Sequence, residues 1–302
     1  MLTEKKRSQM ARIQELAKDL DVEILAHFYQ RPEIKALASF VGGSRGIYRW
    51  AKKTKAQTIL LCGVSFMAET IERLRPDLNI LVPRQDAGCP YSQTVTANSI
   101  WEIRRRDPKA LIIADSKAPG SVKDLADVMM PIDIAPGYWN NKTNNRHLYI
   151  LPGQNLMAHD EVTSRLIEAV CQVHWQVGIE AVAKAKQERP DALVVVNVLC
   201  NDEVKARADK VGDSQAIWDF CADNPHREYI VVAEAGLTES MALTWGHKRF
   251  YDPGVEIFCP NMKLTNLRDL LATLESYQFR AGLITRFGAR SMGGQLSHDI
   301  PG

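Results

Sequence analysis

The chain lacks the features that would place it in several common classes. It has no unbroken apolar run near the roughly 20 residues needed to span a bilayer. Residues 1–21 are charged and amphipathic, without the apolar core of a secretory signal. No charge sign dominates, because 38 basic and 36 acidic residues leave a formal charge of +2 over 302 residues. The densest basic run, Arg104-Arg105-Arg106, lies in a segment of helical pattern and reads as a solvated face, so nucleic acid is not an expected partner. There is no Cys-x-x-Cys and no paired Cys/His spacing, which argues against a zinc ribbon. The expected setting is the cytoplasm, with no membrane association. There the six cysteines are read as ligands, catalysts or buried packing rather than disulfides.

What is present is an alternation of strand-like and helix-like segments. A helix is expected over 5–20, strands at 22–26, 58–62 and 78–82, and helices from the Val41-Gly42-Gly43-Ser44 turn to 53 and over 65–74. Further strands are expected at 110–114, 147–151, 192–198, 229–233 and 255–258. Helices are expected at 121–129, 161–170 and 266–275, with one more opening at Val211-Gly212-Asp213-Ser214. This order implies an α/β fold of parallel sheets covered by helices on both faces. Residues 288–302, rich in Gly and Ser, read as a disordered terminus, with an ordered lid as the alternative.

The chain also repeats itself. His27 to Ser44 spans 17 residues and Ser44 to Cys89 spans 45; Asn197 to Ser214 and Ser214 to Cys259 give the same two numbers. A shift of 170 therefore superposes strand tip, Val-Gly-x-Ser turn and terminal cysteine. A looser middle copy begins if Asp115 corresponds to His27, and it ends at Cys171. The expected units are 1–90 with the N-terminal helix, 91–172 and 173–262, followed by a helical segment 263–287 and the tail 288–302.

Ligands of parallel sheets bind beyond the carboxyl ends of the strands. Three such units facing one another would bring together His27, Tyr29, Asp115, Lys117, Asn197 and the three terminal cysteines. The Ser44 and Ser214 turns offer helix N-termini to a phosphate or carboxylate, although a serine N-cap is the plainer reading. Cys62 and Cys221 read as core, and Cys200 is left between core and site. Cys89, Cys171 and Cys259 each close a unit. On spacing alone they remain either three buried thiols or one set of cluster ligands that leaves an iron open as a Lewis acid.

Several segments resemble the quinolinate synthase family. They are Ala26-His27-Phe28-Tyr29-Gln30, Phe66-Met67-Ala68-Glu69-Thr70 after Cys62-Gly63-Val64, Ala87-Gly88-Cys89, Cys171-Gln172-Val173-His174-Trp175 and Cys259-Pro260-Asn261-Met262-Lys263. The resemblance runs from about residue 5 to 280. It implies three similar α/β/α domains in a pseudo-threefold triangle around a [4Fe–4S] cluster, with Cys89, Cys171 and Cys259 as ligands and one open iron. It also implies the condensation of iminoaspartate with dihydroxyacetone phosphate to quinolinate, a pyridine-forming step. His27 and Tyr29 would transfer protons and meet substrate, Ser44 and Ser214 would bind anions, and His174 would contact a substrate carboxylate.

The chain departs from the family at two strand tips. Asp115-Ser116-Lys117 stands where the family has Tyr-x-Asn, and Asn197-Val198-Leu199-Cys200 where it has His-Pro-Glu-Cys. Leucine cannot accept a proton, and Asp115 and Lys117 add charges expected to pair with each other or with substrate. Lys117 could also act as a nucleophilic amine. The leading expectation is a cluster-dependent enzyme that dehydrates or condenses a small anionic substrate, with Asp115 and Lys117 added to its catalytic groups and Asn197 to its substrate contacts. Cluster-assembly machinery would be a partner. The alternatives are an ordinary quinolinate synthase and a non-catalytic cluster-bearing sensor.

Overall fold

The computed structural model describes residues 3–131, 147–153 and 169–291, with side chains to residue 281. Three parallel sheets organise these residues. The first contains β1 (Val22–His27), β2 (Phe40–Gly42), β3 (Thr58–Cys62) and β4 (Asn79–Leu81) in the order β2-β1-β3-β4. Helix α1 (Glu4–Asp19) precedes them, and α2 (Pro32–Lys35), α3 (Ser44–Lys53) and α4 (Ser65–Leu74) connect them. Pro32 occupies the first turn of α2, where a missing N–H costs no hydrogen bond. Short α5 (Pro90–Gln93) and α6 (Ala97–Arg106) lead to the second sheet, β6-β5-β7, built from β5 (Leu111–Asp115), β6 (Val128–Met130) and β7 (Leu148–Leu151), with α7 (Gly120–Lys123) after β5.

The third sheet follows α8 (Gln172–Trp175) and α9 (Ile179–Glu188). Its strands are β8 (Leu193–Asn197), β9 (Lys210–Gly212), β10 (Glu228–Val232) and β11 (Arg249–Tyr251), in the order β9-β8-β10-β11. Its helices are α10 (Asp202–Lys205), α11 (Ser214–Asp223) and α12 (Ala235–Thr244); α13 (Leu267–Ser291) closes the described chain. Apart from the first residue of β1, every element from β1 to β4 reappears from β8 to β11 displaced by 170 residues. The opening of the second unit, β5-α7-β6, matches β1-α2-β2 at a displacement of 88. The repeat therefore extends to individual helix and strand ends.

Strand side chains alternate between the two faces of each sheet, and here both faces are buried. Leu25, Ile59 and Leu61 join a core that also holds Val195, Tyr229 and Val231 of the third sheet, so these two units share one apolar interior. Ile24, Ala26 and Leu60 point the other way, against Ile13 and Leu16 of α1 and Leu270 and Leu274 of α13. The first and third units also meet through Phe28 stacked on Trp218 at 4.7 Å. Arg104, Arg105 and Arg106 make ion pairs with Asp127 and Glu102, as expected of a solvated face.

Three expected elements differ. Residues 121–129 are not one helix: α7 ends at Lys123 and the edge strand β6 begins at Val128. Residues 255–258 are not a strand. Their alternating pattern has no place to pair, because β11 already flanks β10, and Ile257 instead uses its carbonyl to accept the Ala235 N–H at the start of α12. Val255 and Phe258 are left exposed. The closing helix continues through 288–291; residues 161–168 of the expected helix at 161–170 and the tail beyond 291 lie outside the described residues, and 169–170 are not helical.

Candidate active site

Each unit ends its first strand with a residue that turns its side chain back on the chain. His27 Nδ1 accepts the Tyr29 N–H at 3.2 Å, Asp115 Oδ1 accepts the Lys117 N–H at 2.9 Å, and Asn197 Oδ1 accepts the Leu199 N–H at 3.0 Å. Three different side chains thus serve one local purpose, satisfying a backbone donor where the ladder stops. The residue two further on, Tyr29, Lys117 or Leu199, is directed into a common cavity of about 350 Å³.

That cavity is lined by His27, Tyr29, Ser44 and Cys89 from the first unit, Ser116 and Lys117 from the second, and Asn197, Ser214 and Cys259 from the third, with Cys171 and His174 at the start of α8. Of the candidate residues only Asp115 is absent from the wall. It is fully buried behind Lys117, whose Nζ stands 3.3 Å from its carboxylate, so the expected pair forms. Cys62 and Cys221 are buried in separate cores. Cys200 is buried too, its thiol directed at the Val232 carbonyl at 3.8 Å and away from the cavity.

Tyr29 is the centre of the polar wall. Its hydroxyl lies 2.6 Å from Ser214 Oγ and 3.5 Å from His174 Nε2, and it accepts from Asn197 Nδ2 at 3.3 Å. Burial pushes its pKa well above the usual phenol value, so the group is a proton donor at neutral pH. Burial also lowers His27 to about 3, with the charges of Lys263, Lys117 and Lys35 acting the same way. A neutral His27 that accepts at Nδ1 carries its proton on Nε2. His174 is likewise lowered to about 3 by burial and by Lys117, and its Nδ1 lies 3.3 Å from Cys171 Sγ.

Ser44 and Ser214 are the first helical residues of α3 and α11, while the N-caps are Gly43 and Asp213, which corrects the serine-cap reading. The two helix starts abut. Arg45 pairs with Asp213 at 2.8 Å, and the Gly43 N–H donates to Gln215 Oε1 at 3.0 Å. A Cβ on Gly43 would stand 2.9 Å from the Gln215 backbone nitrogen, so this approach requires glycine.

The three thiols come from three turns. Cys89 and Cys171 immediately precede α5 and α8, and Cys259 precedes a 3-10 turn at Asn261–Lys263. Burial pushes Cys89 up to about 12 and Cys259 up to about 11, and raises Cys171 as well. The nearby thiols raise Cys89 and Cys259 further. Three thiols that repel one another as thiolates are a donor set that a cationic centre would relieve. Among the described residues, no three His, Cys, Asp or Glu side chains stand close enough to hold one metal ion. By donor chemistry alone, three cysteine thiols facing one cavity are of the type that an iron–sulfur cluster takes. Leu199 packs with Tyr91 and Ala169 against Cys89 and Cys171, so the wall beside these two thiols is apolar.

The site draws on residues that spacing did not single out. Asp213, Tyr91, Phe66 and Asn261 all line the cavity; Asp213, Phe66 and Asn261 lie inside segments already noted in the sequence, whereas nothing local marks Tyr91. Three parallel sheets that deliver cysteines, imidazoles, a phenol and an ammonium to one enclosed space define an α/β protein with a thiol-lined small-molecule site. The family model for Quinolinate synthetase A protein matches residues 11–286. The quinolinate synthase of Geotalea uraniireducens (strain Rf4) is 34% identical over 257 residues, 84% of each chain. That of Geobacter metallireducens is 32% identical over 266 residues, 87% of each, and that of Desulforudis audaxviator 33% over 273, covering 88% of this chain and 90% of the relative. The chain belongs to the quinolinate synthase family.

Proposed function

We propose that the chain is a [4Fe–4S]-dependent enzyme of the quinolinate synthase type, held to its cluster by Cys89, Cys171 and Cys259, acting on a small anionic substrate that differs from the family's own. The supporting observation is the meeting of these three thiols with Tyr29, His27 and Lys117 in one cavity. When bound, a cluster with three protein ligands supplies an open iron, a Lewis acid for dehydration or condensation.

The chain's residues supply the rest. Tyr29, protonated and held by Ser214, gives a proton to a departing hydroxyl or a developing alkoxide. His27 offers its Nε2–H to a substrate oxygen, and its low pKa makes it a donor rather than a base. The N-terminal turns at Ser44 and Ser214 bind a carboxylate or phosphate. His174 and Asn197 contact the substrate beside Tyr29. Lys117, with Asp115 behind it, presents an ammonium to an anionic group or an amine to a carbonyl carbon. Leu199 supplies no acid or base, so proton transfer falls to the Tyr29 side of the cavity.

Family membership favours a second reading, in which the chain makes quinolinate itself. The full chain, reconstituted anaerobically, separates the two. About four irons per chain are expected, together with little or no quinolinate from iminoaspartate and dihydroxyacetone phosphate. Formation at an ordinary rate sinks the altered substrate and establishes the second reading. Serine at Cys89, Cys171 or Cys259 should strip iron, and serine at Cys62 or Cys221 should not; iron retained in the first three removes the ligand assignment.

A further inference from the structure

Cys259 is the one of the three that does not immediately precede an α-helix. Residues 252–260 run irregularly from β11 to the 3-10 turn. Their end is nevertheless tied down by side chains that lie outside the cavity or at its edge. Glu234, one residue before α12, is fully buried. Its Oε1 accepts Lys263 Nζ at 3.1 Å and the Cys259 N–H at 3.4 Å, while Oε2 accepts the Gly236 N–H at 2.8 Å. Asn261 Nδ2 donates to the Gly88 carbonyl at 2.6 Å, on the residue before Cys89. Arg31 Nε donates to the Lys263 carbonyl at 3.0 Å.

The helix start that Glu234 caps is pressed against the first unit. A Cβ on Gly236 would stand 2.5 Å from the Phe28 carbonyl oxygen and 3.0 Å from Tyr29 Cα, so the first turn of α12 rests on the strand tip that carries Tyr29. One carboxylate thereby joins the Cys259 backbone, the Lys263 ammonium and a helix start that touches the Tyr29 backbone. A buried ion pair adds little stability over a well-packed apolar pair. Fixing a register is a better-attested use of such a pair, and groups behind metal ligands orient them in the same way.

We propose that Glu234 is the positioning residue of the third thiol: through Lys263 and the Cys259 N–H it sets the direction of Cys259, while Asn261 sets its separation from Cys89. The proposal rests on the cluster reading above. Gln at position 234 keeps one acceptor oxygen where two are used and leaves the Lys263 ammonium without its counter-charge.

The test uses the reconstituted full chain as wild type, Glu234→Gln, Glu234→Gln with Lys263→Met, and Asn261→Ala. Glu234→Gln and Asn261→Ala should hold less than about half the wild-type iron and lose the cluster's visible absorbance in air about 5-fold faster or more, the direction set by loss of outer-shell support. The double variant should recover at least about half of that loss, since the uncompensated ammonium is gone. In the metal-free full chain, iodoacetamide with peptide mapping should alkylate Cys259 about 3-fold faster in Glu234→Gln, with Cys89 unchanged, because only the Cys259 thiolate loses its fixed setting. A general loss of structure would not single out one thiol. Unchanged iron, air lability and alkylation overturn the proposal. If the wild type takes up no iron, the cluster reading fails and alkylation alone decides the positioning role. If Glu234→Gln unfolds, the double variant, which leaves no unpaired ammonium, decides the Glu234 role: Cys259 alkylation faster than wild type upholds it and an unchanged rate overturns it, while Asn261→Ala decides the spacing role.

Discussion

Replacing His27 by Asn should remove a defined part of the protein's sensitivity to acid. In the folded chain His27 is lowered from 6.5 to about 3, chiefly by burial. The unfolded chain therefore binds this proton first as the pH falls. The stability that His27 contributes is complete above pH 6.5 and is lost as the pH drops from there towards 3. At pH 5 the deficit spans 1.5 pH units, which at ~1.4 kcal/mol per unit gives ~2 kcal/mol. Asn is the right replacement because the repeat already contains it: Asn197, 170 residues on, accepts the Leu199 N–H at 3.0 Å as His27 Nδ1 accepts that of Tyr29. The variant keeps the strand-tip hydrogen bond and loses the titration; its lost ring contact with Tyr29 weighs equally at both pH values and cancels in the difference. Urea unfolding of the metal-free chain at pH 7.5 and pH 5 measures the effect. Wild type should lose ~2 kcal/mol more than His27→Asn between the two pH values, while His174 and the carboxylates titrate in both proteins and cancel. Equal losses would refute the assignment of a neutral, buried His27.

Tyr29→Phe deletes the hydroxyl shared by Ser214 and Asn197. It should cost ~1–3 kcal/mol in urea unfolding and lower turnover by ~10²–10⁴; a rate loss under about threefold would take Tyr29 out of proton transfer. Gly43→Ala forces apart the α3 and α11 starts and should destabilise by ~1–3 kcal/mol in calorimetry. Gly246→Ala, with nothing within 4 Å of the added Cβ, should stay within ~0.5 kcal/mol. Similar losses at the two glycines would refute the close approach at Gly43.

Much of this architecture can be read along the chain. The 17- and 45-residue spacings lead to the 170-residue displacement that the strands and helices follow from β1 to β4 and from β8 to β11. Asp115 is the counterpart of His27, and it meets Lys117 as two added opposite charges should. The short edge strands were less legible. Phe40–Gly42, Val128–Met130 and Lys210–Gly212 contain three residues each, too few for a period, and they exist because a neighbouring strand offers its ladder. Residues 255–258 mislead in the opposite sense: they alternate like a strand, but the register beside β10 is taken by Arg249–Tyr251. Displacing the first unit's expected strand at 78–82 by 170 would have pointed to that position.

The sequence by itself determined most of the longer local units, the central strands and the helices that follow them, and that His27, Asp115 and Asn197 occupy one structural role. These follow from backbone hydrogen bonding and apolar period, which act between near neighbours. Only the tertiary structure decided which groups meet. It put Ser214 against Tyr29, Asn261 against the turn of Cys89 and Glu234 beneath Cys259, pairs separated by 185, 173 and 25 residues. Such contacts arise when two sheets bury one shared core, and no local pattern encodes a partner that burial elsewhere brings into reach.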